Sequence, residues 1–301
     1  MMRVKLVRPL YLLIAVLLLT FTLGGSTLKQ ANAETTNQKA SWLWDTSLIK
    51  ASGPDVISFY KNQGVNVIYL QIDRKLSSLY YRNFIRQAAA QGIEVHALDG
   101  NSAWALLTQR DKLTTLFKWI ANYQATAGTN EKFAGIHVDI EPYLLSQWTT
   151  NQKSVISQWQ GNVQYMVQQA NALKLPIAAD LPFWLNNFKV PDGTSTLSSW
   201  MLQQYSSVTL MSYRDTGSGV FNAAKAILAE GAAVGKKVLT GVETNNTPEG
   251  DAISFYEEGA DFMNQELIKL QELAQTYSSF GGLAVHDYTG WKALVEKSYT
   301  N

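Results

Sequence analysis

The 301-residue chain contains no cysteine. No disulfide can therefore form, and no thiol is available to carry a lipid. The fold must rest on its own core. Histidine is scarce as well, with only His96, His137 and His286, and their spacing matches no metal motif. No Gly-x-Gly-x-x-Gly follows a strand-like segment, which argues against a dinucleotide-binding open sheet. No Gly-x-Ser-x-Gly is present, so there is no case for a serine nucleophile. The chain shows no basic stripe of the kind that binds nucleic acid, and nothing in it calls for a cofactor.

Residues 10–23 form an almost purely apolar run of 14, short of the roughly 20 that span a bilayer. Arg3, Lys5 and Arg8 precede it, and "GGSTLKQANA" follows, ending in the small-x-small signal Ala31-Asn32-Ala33. This pattern predicts a secretory signal peptide over residues 1–33, cleaved after Ala33. A retained N-terminal anchor is the alternative. After cleavage the expectation is a secreted monomer with no stable membrane insertion. Residues 1–33 carry four basic and no acidic side chains, which leaves 21 basic and 24 acidic residues, a net of −3. The remaining 268 residues are enough to bury a single core. Nine Trp and fourteen Tyr are available both for that core and for stacking on sugar rings.

A polar lead-in covers residues 34–40. Strand-like and helix-like segments then alternate to residue 301. The strand candidates are 41–45, 65–73, 94–99, 135–141, 176–182, 207–213, 237–243 and 281–287, each short and apolar, as strands covered on both faces are. Helical periodicity is clear over 77–91, 111–124, 151–173 and 255–277, and Gly92 and Gly231 read as helix C-terminal glycines. Eight strand–helix units in this length predict an α/β fold, a single (β/α)8 TIM barrel over residues 41–301. A doubly wound open sheet is the rival.

Active sites of such barrels sit at the C-terminal ends of the strands. Those ends gather Trp44 and Asp45, Gln71 and Asp73, Asp99, His137, Asp139 and Glu141, Asp180, Tyr213, Arg214 and Asp215, Glu243, and His286 and Asp287. Carboxylates crowded at one mouth repel one another, which a purely structural barrel has no reason to maintain. In the stretch "GIHVDIEPY" (135–143), strand alternation puts His137, Asp139 and Glu141 on one face. Two carboxylates so close keep a proton on one of them near neutral pH, which suits a general acid acting on a glycosidic oxygen. The plainer alternative is a polar cap on the strand.

That stretch resembles the fourth-strand signature D-G-x-D-x-D-x-E of glycoside hydrolase family 18, the chitinase-like barrels. Gly135, Asp139 and Glu141 match it, while Ala134 and His137 stand at its first two aspartates. "LMSYRD" (210–215) resembles the family's sixth-strand Met-x-Tyr-Asp through Met211 and Tyr213, with Arg214 in place of the aspartate. "GGLAVHDY" (281–288) resembles its Gly-Gly eighth strand, with His286 where a sugar-stacking Trp is usual. The resemblance runs from residue 135 to 288. It implies that Glu141 is the acid, that Asp139 orients a substrate 2-acetamido group whose oxygen attacks the anomeric carbon, and that Tyr213 hydrogen-bonds that group. The implied partner is a polysaccharide or oligosaccharide, chitin or peptidoglycan among them. Asp45, Asp99, His137, Asp180, Arg214, His286, Trp44 and Trp184 are candidates for binding it.

A second resemblance is to the retaining two-glutamate (β/α)8 glycosidases, which place the acid before a proline at the end of strand 4 and a nucleophile on strand 7. Glu141-Pro142 and Glu243 occupy those places, and Tyr213 would hold Glu243. A non-catalytic glycan-binding barrel is the remaining alternative. His96 reads as a packed, hydrogen-bonded histidine, and Trp119 and Trp159 as packing. Trp104 and Trp148 are open between groove and core. The loop at 244–254 is too short for an inserted domain, so the cleft should be open.

Overall fold

A computed structural model describes residues 37–298 of the chain. Among these residues eight parallel strands close into one barrel in sequence order. They are β1 (Gln38–Leu43), β2 (Val67–Gln71), β3 (Glu94–Asp99), β4 (Gly135–Val138), β5 (Ile177–Pro182), β6 (Ser207–Met211), β7 (Lys237–Glu243) and β8 (Phe280–His286). The barrel is the fold expected from the alternating pattern, and the open-sheet rival is excluded because β1 pairs with β8, Gln38 opposite Gly282 and Ser41 opposite Val285. Around it lie α1 (Leu48–Ala51), α2 (Gly53–Asn62), α3 (Ser78–Ala90), α4 (Arg110–Thr126), α5 (Ser146–Thr150), α6 (Gln152–Leu173), α7 (Leu197–Gln204), α8 (Gly217–Val234), α9 (Ala260–Ala274) and α10 (Tyr288–Ser298).

Alternation along each strand builds two cores. Ala40, Trp42, Val67, Tyr69, Leu98, Leu239 and Ala284 pack together in one cluster inside the barrel. Their neighbours Leu43, Ile68, Leu70, Val138 and Leu210 join the helix residues Leu116, Ile120, Val163, Met166, Ile227 and Leu267 in the other. A filled interior is general in barrels of this size. Here it is aromatic: the Tyr69 hydroxyl reaches Thr209 Oγ1 at 3.0 Å, and His137 stacks on the Tyr69 ring with centroids 3.6 Å apart. Side-chain caps set helix starts at Ser77, Thr196 and Thr216, each taking a backbone N–H that no preceding turn can satisfy.

Several boundaries differ from the sequence reading. β1 begins at Gln38, so residues 38–40 belong to the barrel and the lead-in is shorter, while Trp44 and Asp45 lie beyond the strand. β4 stops at Val138, so Asp139 and Glu141 stand on the segment leaving it. Gly231 does not end a helix. It lies inside α8, where a Cβ would meet Val238 Cγ2 at 2.8 Å, and Gly235 takes the left-handed position at φ +67°. The 244–254 loop holds one short turn, Asp251–Ile253, and no inserted domain. The signal peptide over residues 1–33 lies outside the described residues. No helix among the described residues is long and apolar enough to cross a membrane.

Barrel closure depends on Gly282. Its φ is +132°, and a Cβ there would sit 1.9 Å from the Gln38 carbonyl oxygen and 2.6 Å from its nitrogen. Both objects are backbone, so neither can swing away. Gly282→Ala is expected to cost about 3 kcal/mol or more of stability, combining a forbidden φ with overpacking. Denaturant unfolding checks this: the midpoint should fall with an unchanged slope.

Candidate active site

A cavity of about 170 Å³ opens at the C-terminal end of the barrel, lined by Trp42, Trp44, Asp139, Glu141, Asp180, Met211, Tyr213 and His286. A larger groove, about 370 Å³, lies against α2 and α3, but Lys61 is its one ionisable lining residue. It offers no acid–base pair, so the smaller cavity is the candidate site.

Glu141 and Asp139 reach the cavity because alternation continues past the end of β4. Ile140 between them is buried in the outer core, and Asp139 N–H still donates to the Asp99 carbonyl at 3.3 Å. Gly100 makes this approach possible, since a Cβ on it would lie 1.8 Å from the Asp139 carbonyl oxygen. Glu141 then begins the turn Pro142–Leu144, which brings the Tyr143 hydroxyl back to donate to Glu141 Oε2. Trp184 packs edge-on against the Tyr143 ring at 4.9 Å. Trp184 thus supports Tyr143, which holds Glu141, and does not itself line the cavity.

Burial pushes the Asp139 carboxyl well above the ordinary range, and the charges of Asp180 and then Glu141 push the same way. Burial also raises Glu141; the Tyr143 hydrogen bond works against it, and Asp180 adds to it. The expected carboxylate crowding is present, but the stronger electrostatic neighbour of Asp139 is Asp180, from the next strand. Asp180 is itself 3% exposed. Trp42 Nε1–H donates to its Oδ2 at 3.0 Å, and His137 Nε2 stands 2.9 Å from its Oδ1, out of line with the ring N–H. Asp139 Oδ1 is buried and accepts no hydrogen bond from the described residues.

His286 joins β8 to β7 and β1. Trp44 Nε1–H donates to His286 Nε2 at 2.9 Å, and His286 Nδ1 meets Glu243 Oε2 at 2.7 Å. Glu243 Oε1 accepts three further bonds at 2.8 Å, from the N–H groups of Thr244 and Asn245 and from Asn245 Nδ2. Burial works to raise the Glu243 carboxyl, but His286 and Asn245 outweigh it and leave it below its ordinary value. Burial likewise works to lower His286, and Glu243 outweighs it, so the imidazole holds its proton more firmly than usual.

The structure therefore brings Trp44, Asp139, Glu141, Asp180, Tyr213 and His286 together and leaves other candidates aside. Asp45 is exposed and caps its own turn through Ser47 N–H and Oγ, because an aspartate followed two residues on by a free N–H closes an Asx turn. Asp99 is tied up by Arg74 Nη1 at 2.9 Å, Gln71 and Gly100 N–H. His137 is wholly buried beneath the cavity, between Tyr69 and Asp180. Arg214 Nη1–H turns back to the Tyr213 carbonyl at 2.6 Å, and its guanidinium lies over Phe183. Glu243 does not line the cavity, and Tyr213 makes no hydrogen bond to it among the described residues; it acts on His286, which does line it. His96 is packed as expected, but its Nδ1 has no hydrogen-bond partner among the described residues. Trp104 and Trp148 are core.

Sequence reasoning missed Trp42 and Tyr143, and named Met211 only as a motif match with no place in the site. The signals were available: Trp42 lies two residues before Trp44 on the same strand face, Met211 two before Tyr213, and Tyr143 two after Glu141.

No protein-family model matches the chain, and no curated protein matches it. Solved structures do match in fold. A family 18 chitinase from Pseudoalteromonas aurantia aligns with a TM-score of 0.58 at 13% identity, over 86% of this chain and 99% of that one. The C-terminal domain of a putative chitinase from Desulfitobacterium hafniense DCB-2 aligns at 0.57 and 11%, over 88% and 97%. A Cycas revoluta family 18 chitinase, in complex with (GlcNAc)3, aligns at 0.50 and 13%, over 86% and 98%. At these identities the likeness is one of fold, and the barrel is built as theirs are.

Proposed function

We propose that this chain is a glycoside hydrolase acting on an extracellular polysaccharide that contains N-acetylhexosamine, with Glu141 as general acid. The observation that carries the reading is Glu141 itself, half-buried in the cavity and kept above the ordinary carboxylate range beside Asp139 and Asp180. A carboxyl so placed retains a proton to give to a glycosidic oxygen. Asp139, which lines the cavity beside Glu141, accepts the N–H of the 2-acetamido group and turns that group's oxygen towards the anomeric carbon. Tyr213 holds the acetamido oxygen, and the two indoles face the sugar ring. The barrel's likeness to chitinases, one of them in complex with (GlcNAc)3, supports this substrate class. The two-glutamate route has less support, because His286, Thr244 and Asn245 already engage both oxygens of Glu243. The N-terminal 33 residues support export with cleavage after Ala33.

The test is release of reducing ends from chitin oligomers, peptidoglycan and glycans lacking the 2-acetamido group. Turnover confined to acetamido-bearing substrates is the expected result. Equal turnover on the others would favour the two-glutamate route. Binding without turnover on any glycan would overturn the enzymatic reading in favour of a lectin.

A further inference from the structure

Glu243 is the most completely bonded carboxylate at the mouth of the barrel, yet it does not touch the cavity. What it touches is His286, and His286 touches Trp44. The direction of these bonds follows from chemistry alone. An indole N–H can only donate, so His286 Nε2 must carry a lone pair towards Trp44. The ring proton is then on Nδ1 and is donated to Glu243 Oε2. The other Glu243 oxygen is pinned by three N–H groups from Thr244 and Asn245, and the Asn245 amide is steadied by Asp287 Oδ1 at 3.3 Å. The loop after β7 thus fixes Glu243, Glu243 fixes the imidazole, and the imidazole fixes the one polar atom of a cavity-lining indole.

We propose that Glu243 and His286 are positioning residues that hold the Trp44 indole in place for the bound sugar, and that they do so only while His286 is neutral. This rests on the reading of the cavity as a sugar site. A second proton on the imidazole would go to Nε2 and set an N–H against the Trp44 N–H, so the anchor would be lost. The charged and titratable groups facing His286 act on that proton from each side: Glu243 from β7, Asp287 next to it in the chain, Asp180 from β5, Glu141 from the segment after β4, and Tyr213 after β6, whose ring lies 5.9 Å away. Trp42, at 5.3 Å, carries no charge. The carboxylates outnumber any cation there, so protonation begins above the ordinary imidazole value of about 6.5. Sugar binding should then be tight above that midpoint and weaken as pH falls through it.

The experiment has one arm that needs no substrate. The Trp44 indole N–H resonance, assigned by its loss in Trp44→Phe, is followed by 1H–15N NMR from pH 8.5 to 4.5. It should move with a single titration, which shifts to lower pH in Glu243→Gln because the amide removes the charge that holds the imidazole proton. A Trp44 resonance that does not titrate, or a midpoint unchanged in Glu243→Gln, would overturn the proposal. In the substrate arm, KM for a chitin oligomer should rise about tenfold on the acid side of the same midpoint, the scale of one hydrogen bond. In Trp44→Phe, KM should be high throughout and lose that acid-side rise. An acid-side rise in KM that persists in Trp44→Phe would also overturn it. If no glycan is turned over, the hydrolase reading fails and the NMR arm still decides the relay.

Discussion

Replacing Glu141 with Gln should lower kcat on an oligosaccharide by about 10² to 10⁴, the usual worth of a positioned general acid, with KM little changed. The substitution is nearly isosteric. Its amide oxygen can still accept the Tyr143 hydroxyl that now donates to Glu141 Oε2, so the turn Pro142–Leu144 should keep its shape. What disappears is the proton. The informative comparison is therefore between leaving groups. A sugar hydroxyl leaves poorly and needs protonation, so the natural linkage should suffer the full loss. A nitrophenolate leaves unaided, so an aryl glycoside should lose far less. Equal losses on both would mean that Glu141 shapes the site without donating a proton, and the assignment of the acid would fail. Because the acid form is the active one, wild-type kcat should decline as pH rises through the elevated Glu141 value. That alkaline limb should be absent from whatever activity Glu141→Gln retains.

The architecture was legible because each strand is covered on both faces and so reads as a short apolar run. β3 and β7 lie where the sequence puts them, since "EVHALD" and "KVLTGVE" change character sharply at both ends. β1 was misplaced because Gln38 and Lys39 are polar. They enter the strand through closure against Gly282 and Leu283 of β8, partners more than 240 residues away. The site was legible to the same depth. Alternation past β4 correctly delivers Asp139 and Glu141 to one cavity. It cannot tell that Asp45 closes its own turn, that Asp99 is spent on Arg74, or that Glu243 is saturated by the two residues following it. Those outcomes depend on which donors a loop brings within 3 Å, and periodicity carries no information about that. The same limit hid that Asp180, from the neighbouring strand, brings the larger charge to Asp139.

Asp180→Asn should change activity and stability in opposite directions. Asn keeps the shape of the aspartate and can still accept the Trp42 N–H that now goes to Asp180 Oδ2. It removes a buried negative charge that now raises both Asp139 and Glu141. Both carboxyls should move down, although burial, the largest cause for each, remains. The acid form of Glu141 is then lost at lower pH, and the alkaline limb of kcat moves to lower pH. Beyond the limb each further pH unit costs a factor of ten, so at a fixed pH on that side the variant is slower than wild type in proportion to the displacement. For stability the sign is reversed. In the unfolded chain Asp139 ionises near the ordinary aspartate value of about 3.9, whereas the folded protein holds the proton to higher pH. Between those two values the unfolded state binds fewer protons, so folding stability falls as pH rises through the window. Weakening the repulsion narrows that window and returns part of the loss, so on the alkaline side of the limb the thermal midpoint of Asp180→Asn should exceed that of wild type while its kcat is lower. A site that is less stable as built than as mutated is what a strained acid cluster predicts. Paired pH–rate profiles and melting curves decide the matter: an unmoved alkaline limb, or a lower melting midpoint, would show that Asp180 serves Trp42 and the barrel interior and does not set the proton on the acid.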